Sequence, residues 1–576
     1  MMQNHRFEEN MSTSEASLGK PDSEDQTNTS KSDENNAPGT TSKIQYPPTS
    51  KVVVIMIPLL LTAFLIALDR LIIGVAVPRI TDQFHSLGDV GWYGSAYLLT
   101  SCSFMLLGGK LYTMFHPKWV YLGALAIFEV GSAICGAAPN SKSLIVGRSI
   151  AGLGQACLFQ GTIIIIVYVV PLRKRPQLMA IGGMIFGIAC AVGPLIGGAF
   201  TSGPGWRWCF YINLPCGALA FVLLVFFLDI PAGMLGQKSE SLREKAKKVD
   251  LLGSIFFPSC VVCLLLALQW GGLEYSWSNV RIIVLLVLSG SLFIAFVVVQ
   301  RWKGDTATVP GRIFFNRSVL AGAWFSFASG ASMQTLLFYL PTWFQAIKGS
   351  SAIRSGILTL PLVIGIVVGS LLAGLMTKKI GYYTPWMLLG SILAPIGAGL
   401  ISTITPRTAG SALIGYQALA GLGFGFGAQQ PSVAAQTALP RKDVAIGASL
   451  MMFCQVLGGA VFICVGNNIF QSALVRNLTK IPGINIDSVA HVGATDLRDI
   501  VPRELLPQVL LAYNGALRDM FYLMTGLACV LIFGAVCMEW KSVKKGEDEE
   551  DQKQKEAPGK GGEHALEKTQ PETSHV

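Results

Sequence analysis

Fourteen runs of about twenty apolar residues punctuate this chain, and a run of that length has few ways to fold. They lie near 52–76, 92–114, 118–138, 143–170, 177–201, 207–229, 251–272, 282–300, 318–346, 355–377, 384–404, 410–435, 444–469 and 519–540. A helix rises about 1.5 Å per residue and a bilayer core is about 30 Å thick, so each run is long enough to cross a membrane. Ten-residue segments of alternating polarity do not occur, which argues for helices that satisfy their own backbone groups rather than a β-barrel. The fold class read from this pattern is all-α integral membrane.

Charge is distributed accordingly. Only 14% of the 576 residues are charged, against about 25% in soluble proteins, and the net charge is +10. Residues 1–51 and 541–576 hold 17 of the 34 acidic residues, which leaves the 489 residues between them with a net +15. No ordinary water-soluble domain has that composition. Both tails read as disordered, and because no apolar stretch precedes Val52, no cleavable signal peptide is expected.

An even number of crossings places both tails on one side, and Lys and Arg decide which. Loops after even-numbered runs carry Lys118, Arg173, Lys174, Arg175, Lys238, Arg243, Lys245, Lys247, Lys248, Arg301, Lys303, Arg312, Arg317, Lys378, Lys379, Arg441 and Lys442. The alternate short loops carry only Arg79, Lys142, Arg207, Arg281, Lys348, Arg354 and Arg407. Both termini are therefore expected in the cytosol. The loop 471–518 then falls outside, where Asn477-Leu478-Thr479 forms a glycosylation acceptor sequence. Trp92, Tyr93, Trp206, Trp208, Tyr275, Trp277 and Trp343 fall near helix ends and suit an interfacial aromatic belt.

Several chemistries are disfavoured. The twelve cysteines fall in or beside apolar runs and imply no disulfide framework. All six histidines lie in loops or tails, so a proton carrier within the membrane must be a carboxylate. Gly108-Gly109-Lys110 is followed by Leu111, which is no phosphate-binding loop, and no region is large enough for an ATPase. Metal, redox-cofactor, enzymatic and nucleic-acid functions find no support, and the basic excess belongs to the loops.

Charges inside apolar spans cost several kcal/mol each and are functional candidates for that reason. Asp69 and Arg70 fall in the first span, Glu129 in the third and Arg148 in the fourth. Counting along the helices places Asp69 and Arg148 at similar depth, so an ion pair is geometrically allowed. Such a pair sets burial, which favours neutral Asp69, against Arg148, which favours the carboxylate. Its alternative role is to fix helix packing, and the same alternative stands for Glu129. Gly187, Gly193, Pro194, Gly197 and Gly198 in span five suit close packing or gating. Arg70, Gln429, Gln430, Gln436 and Asn467 are candidates to face a solute in a cavity. Gly421 to Gly427, glycine at every second position, resembles a nucleotide loop only superficially and reads as close packing.

Leu68-Asp69-Arg70-Leu71-Ile72-Ile73-Gly74-Val75-Ala76-Val77-Pro78 resembles the Leu-Asp-x-Thr-Ile-x-x-x-Ala-x-Pro signature of the fourteen-helix drug:proton antiporters of the major facilitator superfamily. Arg148 to Gly154 is similar to that superfamily's Arg-x-x-x-Gly-x-Gly motif, and Gly187 to Gly198 resembles its antiporter motif. Asp89 to Leu99 and Trp206 to Pro215 look like the fungal toxin and multidrug efflux branch. Two departures stand out. Leu71 replaces the signature threonine, and Gly109-Lys110-Leu111-Tyr112-Thr113-Met114 lacks the Asp and Arg of the family's loop between helices two and three.

The resemblance implies a major facilitator fold: bundles at 52–229 and 317–540, joined by a segment 230–316 that contains two inserted helices. It implies proton-coupled export of a hydrophobic fungal secondary metabolite, toxin or drug by a monomer in the cell membrane, driven by the proton gradient without a cofactor. Asp69, Arg148 and Glu129 would carry the coupling. Import of a siderophore or basic amino acid, a vacuolar or vesicle location, and a non-transporting sensor stay open as alternatives.

Overall fold

The computed structural model describes residues 47–86, 89–230, 250–272, 274–482, 484 and 501–544, all within the compact unit Gln45–Val576. The two tails lie almost wholly outside these residues, as do 231–249 of the connecting segment and 485–500 of the long loop.

The first six helical spans are α1 (Thr49–Phe84), α2 (Val90–Met114), α3 (Pro117–Gly136), α4 (Ser141–Val169), α5 (Arg175–Ser202) and α6 (Trp208–Phe227, with a turn at Ile212). Two more, α7 (Leu251–Trp270) and α8 (Val280–Lys303), precede the second six. These are α9 (Arg317–Ala346), α10 (Ala352–Ile380), α11 (Thr384–Ser402), α12 (Gly410–Ala428, resuming as Gln430–Ala438), α13 (Val444–Leu478) and α14 (Leu506–Cys537).

Local sequence punctuates these helices in ordinary ways. Asn140, Asp250, Asn279, Asn316 and Ser351 each accept a first-turn backbone N–H, while Pro117 and Pro176 sit where no N–H is needed. Gly381 ends α10 at φ 95°, a left-handed position natural to glycine.

Among the described residues, eleven of the spans are long and apolar enough to cross a membrane; α2, α9 and α12 fall outside that set. Their small and hydroxylated residues face other helices. In α9, Ser318, Ser326, Ser329, Ser332 and Thr335 are all buried, and Ser332 Oγ donates to the Met524 carbonyl at 2.9 Å. In α12 the glycines serve three neighbours. A Cβ on Gly421 or Gly425 would collide with the carbonyls of Leu362 or Ile366 in α10, one on Gly423 with Ala394 in α11, and one on Gly427 with the Phe325 ring in α9. The glycine-rich stretch is thus a packing device, as its position inside an apolar span suggests.

Helices α1–α6 pack on one another, chiefly α3 and α2 on α4 and α1 on α5 and α6. Helices α9–α14 do likewise, with α9 on α13 and α12 between α10 and α11. Two seams join the sets, α5 against α10 and α2 against α13. The α7–α8 pair leans on α2 and α13 through α7, and α8 exposes Val280, Val284, Val287, Ile294 and Val298 on its outer face.

The last span departs most from the hydropathy reading. Helix α14 begins at Leu506, thirteen residues before the apolar run, and α13 runs on to Leu478, so the connection between them is shorter than 471–518. Val509, Tyr513, Leu517, Met520 and Met524 form one buried stripe, whereas Gln508, Arg518 and Asp519 dilute the average on which a hydropathy run depends. The aromatic belt also needs correcting: Trp343 and Tyr93 are fully buried, with Trp343 Nε1 donating to Asn514 Oδ1 at 2.7 Å, and Trp206 is 5% exposed.

Candidate functional site

Asp69 and Arg148 meet. Arg148 Nη1 lies 2.6 Å from Asp69 Oδ2, and both side chains are buried, at 1% and 0% exposure. The rest of the guanidinium is held too, with Nε donating to the Tyr93 carbonyl at 3.0 Å and the plane 4.3 Å from the centre of the Tyr97 ring. Asn213 Nδ2 donates to Asp69 Oδ1 at 3.2 Å and to Ser132 Oγ at 3.1 Å. Three helices therefore meet at one carboxylate, α1 supplying it, α4 the cation and α6 the amide, and Ser132 of α3 accepts from that amide in turn. A buried ion pair is tolerated only when its remaining lone pairs are satisfied in this way.

Asn213 escaped the sequence reading as a site residue, although it stands in the Trp206 to Pro215 stretch. Its signal was an amide at the start of an otherwise apolar helical segment, beside the turn at Ile212.

Glu129 is half-buried on α3, and both its carboxylate oxygens lack a hydrogen-bond partner. The side chain packs where Gly217 of α6 leaves room, since a Cβ there would collide with it. The buried Tyr97 hydroxyl is likewise without a partner. Among the described residues, no cluster of three or more His, Cys, Asp or Glu side chains could hold a metal ion.

One residue beyond Asp69, Arg70 lines a cavity of about 140 Å³ between the two helix sets. With the Gln334 amide turned so that its oxygen faces the guanidinium, Oε1 accepts from Arg70 Nη2 at 2.9 Å and Nη1 at 3.2 Å. Gln155, Phe159, Phe186, Met333, Gln429, Met452 and Gln455 are further parts of the wall. Gln429 occupies the break in α12, where Pro431 in the next turn cannot donate to the preceding helix.

Three of the cavity candidates are displaced from it. Gln430 is buried and accepts from Thr377 Oγ1 at 3.2 Å; Gln436 is buried with Nε2 3.4 Å from Met179 Sδ. Asn467 is half-buried and outside the cavity lining, while the adjacent Asn468 ties α13 to the Leu268 carbonyl of α7. Adjacent helix positions point about 100° apart, so Gln429 and Gln430 cannot share a face. Gln334, Gln155 and Gln455 were missed for the converse reason: a glutamine in an apolar helix gives no sign of which way it faces.

The span-five glycines fall on two contacts. Gly187 abuts Val367 of α10, and Gly198 lies near Ile353 of the same helix; Gly193 and Gly197 face Leu71 and Ile72 of α1. Pro194 belongs to the same helix. Asn477 is half-buried in the last turn of α13, and its Nδ2 donates to the Ala512 carbonyl at 3.2 Å.

A second polar cluster closes the end where α1 begins and α14 finishes. Lys110 Nζ donates to the carbonyls of Thr306 and Ala307, at 3.0 and 2.8 Å, in the segment between α8 and α9. Arg312 of that segment binds both carboxylate oxygens of the buried Asp443 at the start of α13, and this pairing pushes its pKa further up. Asp250 accepts from Thr308 N and Oγ1 and from Gln300 Nε2. One strap thus ties α2, α7 and α13 together in a chain that lacks the usual Asp and Arg between helices two and three.

The Major Facilitator Superfamily profile matches residues 59–463. The chain is 49% identical over 507 residues to the MFS-type transporter VdtG of Byssochlamys spectabilis, covering 88% of this chain and 91% of that one. It is 50% identical to the MFS-type efflux pump MFS1 of Trichophyton rubrum (86% and 92% covered) and 48% identical to the efflux pump aflT of Aspergillus parasiticus (86% and 96%). Among solved structures, the proton:xylose symporter XylE resembles it with a TM-score of 0.53 at 15% identity, covering 86% of this chain and 99% of that one. A bacterial homologue of the lysosomal transporter Spinster gives 0.51 at 16% identity, covering 85% and 98%.

Proposed function

The chain belongs to the Major Facilitator Superfamily, a family of multi-pass membrane transporters, and on that premise we propose that it is a proton-coupled antiporter exporting hydrophobic secondary metabolites, toxins or drugs. The observation that carries the coupling is the buried Asp69–Arg148 pair, one residue along α1 from a guanidinium in the cavity wall.

The chemistry follows from the pair. While Asp69 is ionised, Arg148 and Asn213 hold α1, α4 and α6 in one arrangement. A proton on Asp69 removes the charge that justifies burying Arg148, so the pair loosens and the first bundle changes its packing. Asp69 takes that proton from the outer side as solute leaves and returns it inward in the next half-cycle. Glu129 supplies a second carboxyl on the neighbouring helix. The glycines of α5 let the bundles rock closely past one another, α1–α6 against α9–α14, about a central cavity.

The reading includes fourteen crossings, with α7 and α8 inserted between the bundles, and both tails in the cytosol of a cell whose plasma membrane holds the protein. Asn477 then lies at the outer end of α13. A monomer suffices, because each half contributes to one cavity.

Purified protein in proteoliposomes tests the proton role. An imposed proton gradient is expected to drive concentrative export by wild type, and Asp69→Asn is expected to reduce it about a hundredfold while leaving downhill exchange. Uphill transport by Asp69→Asn at the wild-type rate sinks the assignment.

A further inference from the structure

We infer that the cavity selects amphiphilic organic anions: hydrophobic molecules that carry one carboxylate or ionised phenol, bound at Arg70. The inference rests on the export reading for its setting but makes a separate claim about charge.

Arg70 is the one charged side chain among the described residues that line the cavity. Its neighbour Asp69 does not neutralise it, because Oδ2 is taken by Arg148 and Oδ1 by Asn213. The partner that Arg70 does have is the neutral Gln334 amide oxygen, from the opposite bundle. A cation facing an apolar cavity without a counter-charge is costly unless something else supplies one. A guanidinium offers five N–H donors in a planar fork that fits a carboxylate bidentately, and one amide oxygen leaves most of that capacity unused. The remaining wall suits the body of such a molecule: Phe159, Phe186 and Met333 for its apolar surface, Gln155 and Gln455 for carbonyl or hydroxyl groups. A cationic solute meets Arg70 with no carboxylate in that wall to offset the repulsion.

Two consequences follow. The anion competes with Gln334 for the same guanidinium, so solute binding loosens a direct tie between the bundles. Export of a monoanion against an entering proton also carries two positive charges inward per cycle, one for each movement, whereas a neutral solute carries one. An inside-negative potential therefore accelerates the acid more than its ester.

Full-length protein in nanodiscs is titrated at pH 7 with anthraquinone-2-carboxylic acid and, in parallel, with its methyl ester. Wild type is expected to bind the acid at least about tenfold more tightly, the scale of a charge-assisted hydrogen-bonded pair. Arg70→Gln is expected to erase that preference, with the larger loss in affinity for the acid, and Arg70→Lys to retain part of it. Gln334→Glu, which installs a fixed carboxylate opposite Arg70, is expected to erase it from the other bundle. Equal or absent binding of acid and ester by wild type, or a preference that survives both Arg70→Gln and Gln334→Glu, overturns the inference. Proteoliposomes keep the two readings apart. Preferential acid binding through Arg70 without uphill movement of either compound defeats export and leaves the site. Export of acid and ester at equal rates with equal dependence on potential defeats the site and leaves export.

Discussion

Helices α1–α6 hold ionisable groups deep in their packing, whereas α9–α14 face the same cavity with amides and thioethers. The first set places Asp69, Arg70, Glu129 and Arg148 within its spans. In the second, the described charges sit toward helix ends, as with Arg317, Arg354, Lys378 and Lys379, or in the partly exposed Arg476–Asp519 pair and the adjacent Arg518. Both sets use glycine for close approach, Gly131 and Gly154 between α3 and α4 and Gly421 and Gly423 around α12. Similar packing therefore does not require similar electrostatics. A change at the buried charges of one bundle can alter that bundle alone, while the other presents a neutral wall.

Removing one charge is the strongest way to break this contrast. Arg148→Met leaves Asp69 buried without its cation and is expected to cost about 3–5 kcal/mol, read as a lower melting temperature of the purified protein. The double variant Asp69→Leu with Arg148→Met should recover most of that stability and none of the proton-driven transport. Gln430→Leu in the opposite bundle, away from the cavity, should leave solute affinity within about twofold.

The seam between the bundles comes next. Gly187→Leu drives a side chain into Val367 and should cost about 1–3 kcal/mol of packing, with slowed transport. Val367→Ala in the same chain should restore part of both, and no restoration would mean that the two helices separate there during transport.

The strap at the tail end separates a buried charge from an ordinary hydrogen bond. Arg312→Ala strands Asp443, which is 5% exposed, whereas Lys110→Ala frees two backbone carbonyls. The first variant should make the 304–312 segment the more susceptible to limited proteolysis, and Lys110→Ala should cost only about 1 kcal/mol.

The smallest effect is expected at Glu539, beyond α14. Lys541 and Ser318 hold its carboxyl below the usual glutamate range. Its contribution is present above the unfolded-state value of about 4.3 and disappears as pH falls through the lowered folded value. The side chain is 31% exposed, so Glu539→Gln should change stability by less than about 1 kcal/mol at neutral pH, and the difference between variant and wild type should shrink as pH falls through the lowered folded value.

Much of this arrangement was legible in advance where a residue broke its local pattern. Asp69 and Arg148 stood out because each interrupts an apolar span, and helix counting placed them at one depth. The amides were harder. Gln429 and Gln430 are adjacent and alike in sequence, yet one lines the cavity and the other accepts from Thr377. Asn213 became visible as a partner of Asp69 only when α6 delivered it to both Asp69 and Ser132. The start of α14 was hidden because its apolar face alternates with Gln508 and Arg518, which lowers an average without weakening an amphipathic helix.

Sequence alone determined the membrane class, the order of the helices, the side expected for the tails and the charged residues that need a partner. Each of these follows from composition along one dimension, through the cost of placing a polar group in hydrocarbon and, for the tails, the bias of Lys and Arg among the loops. Tertiary structure alone decided the rest: that Arg148 rather than Arg70 takes Asp69, that Arg70 meets Gln334 across the cavity, and that Lys110 and Arg312 anchor a strap at the tail end. Those choices depend on the rotation of each helix about its own axis, which is set by packing against neighbours distant in the chain.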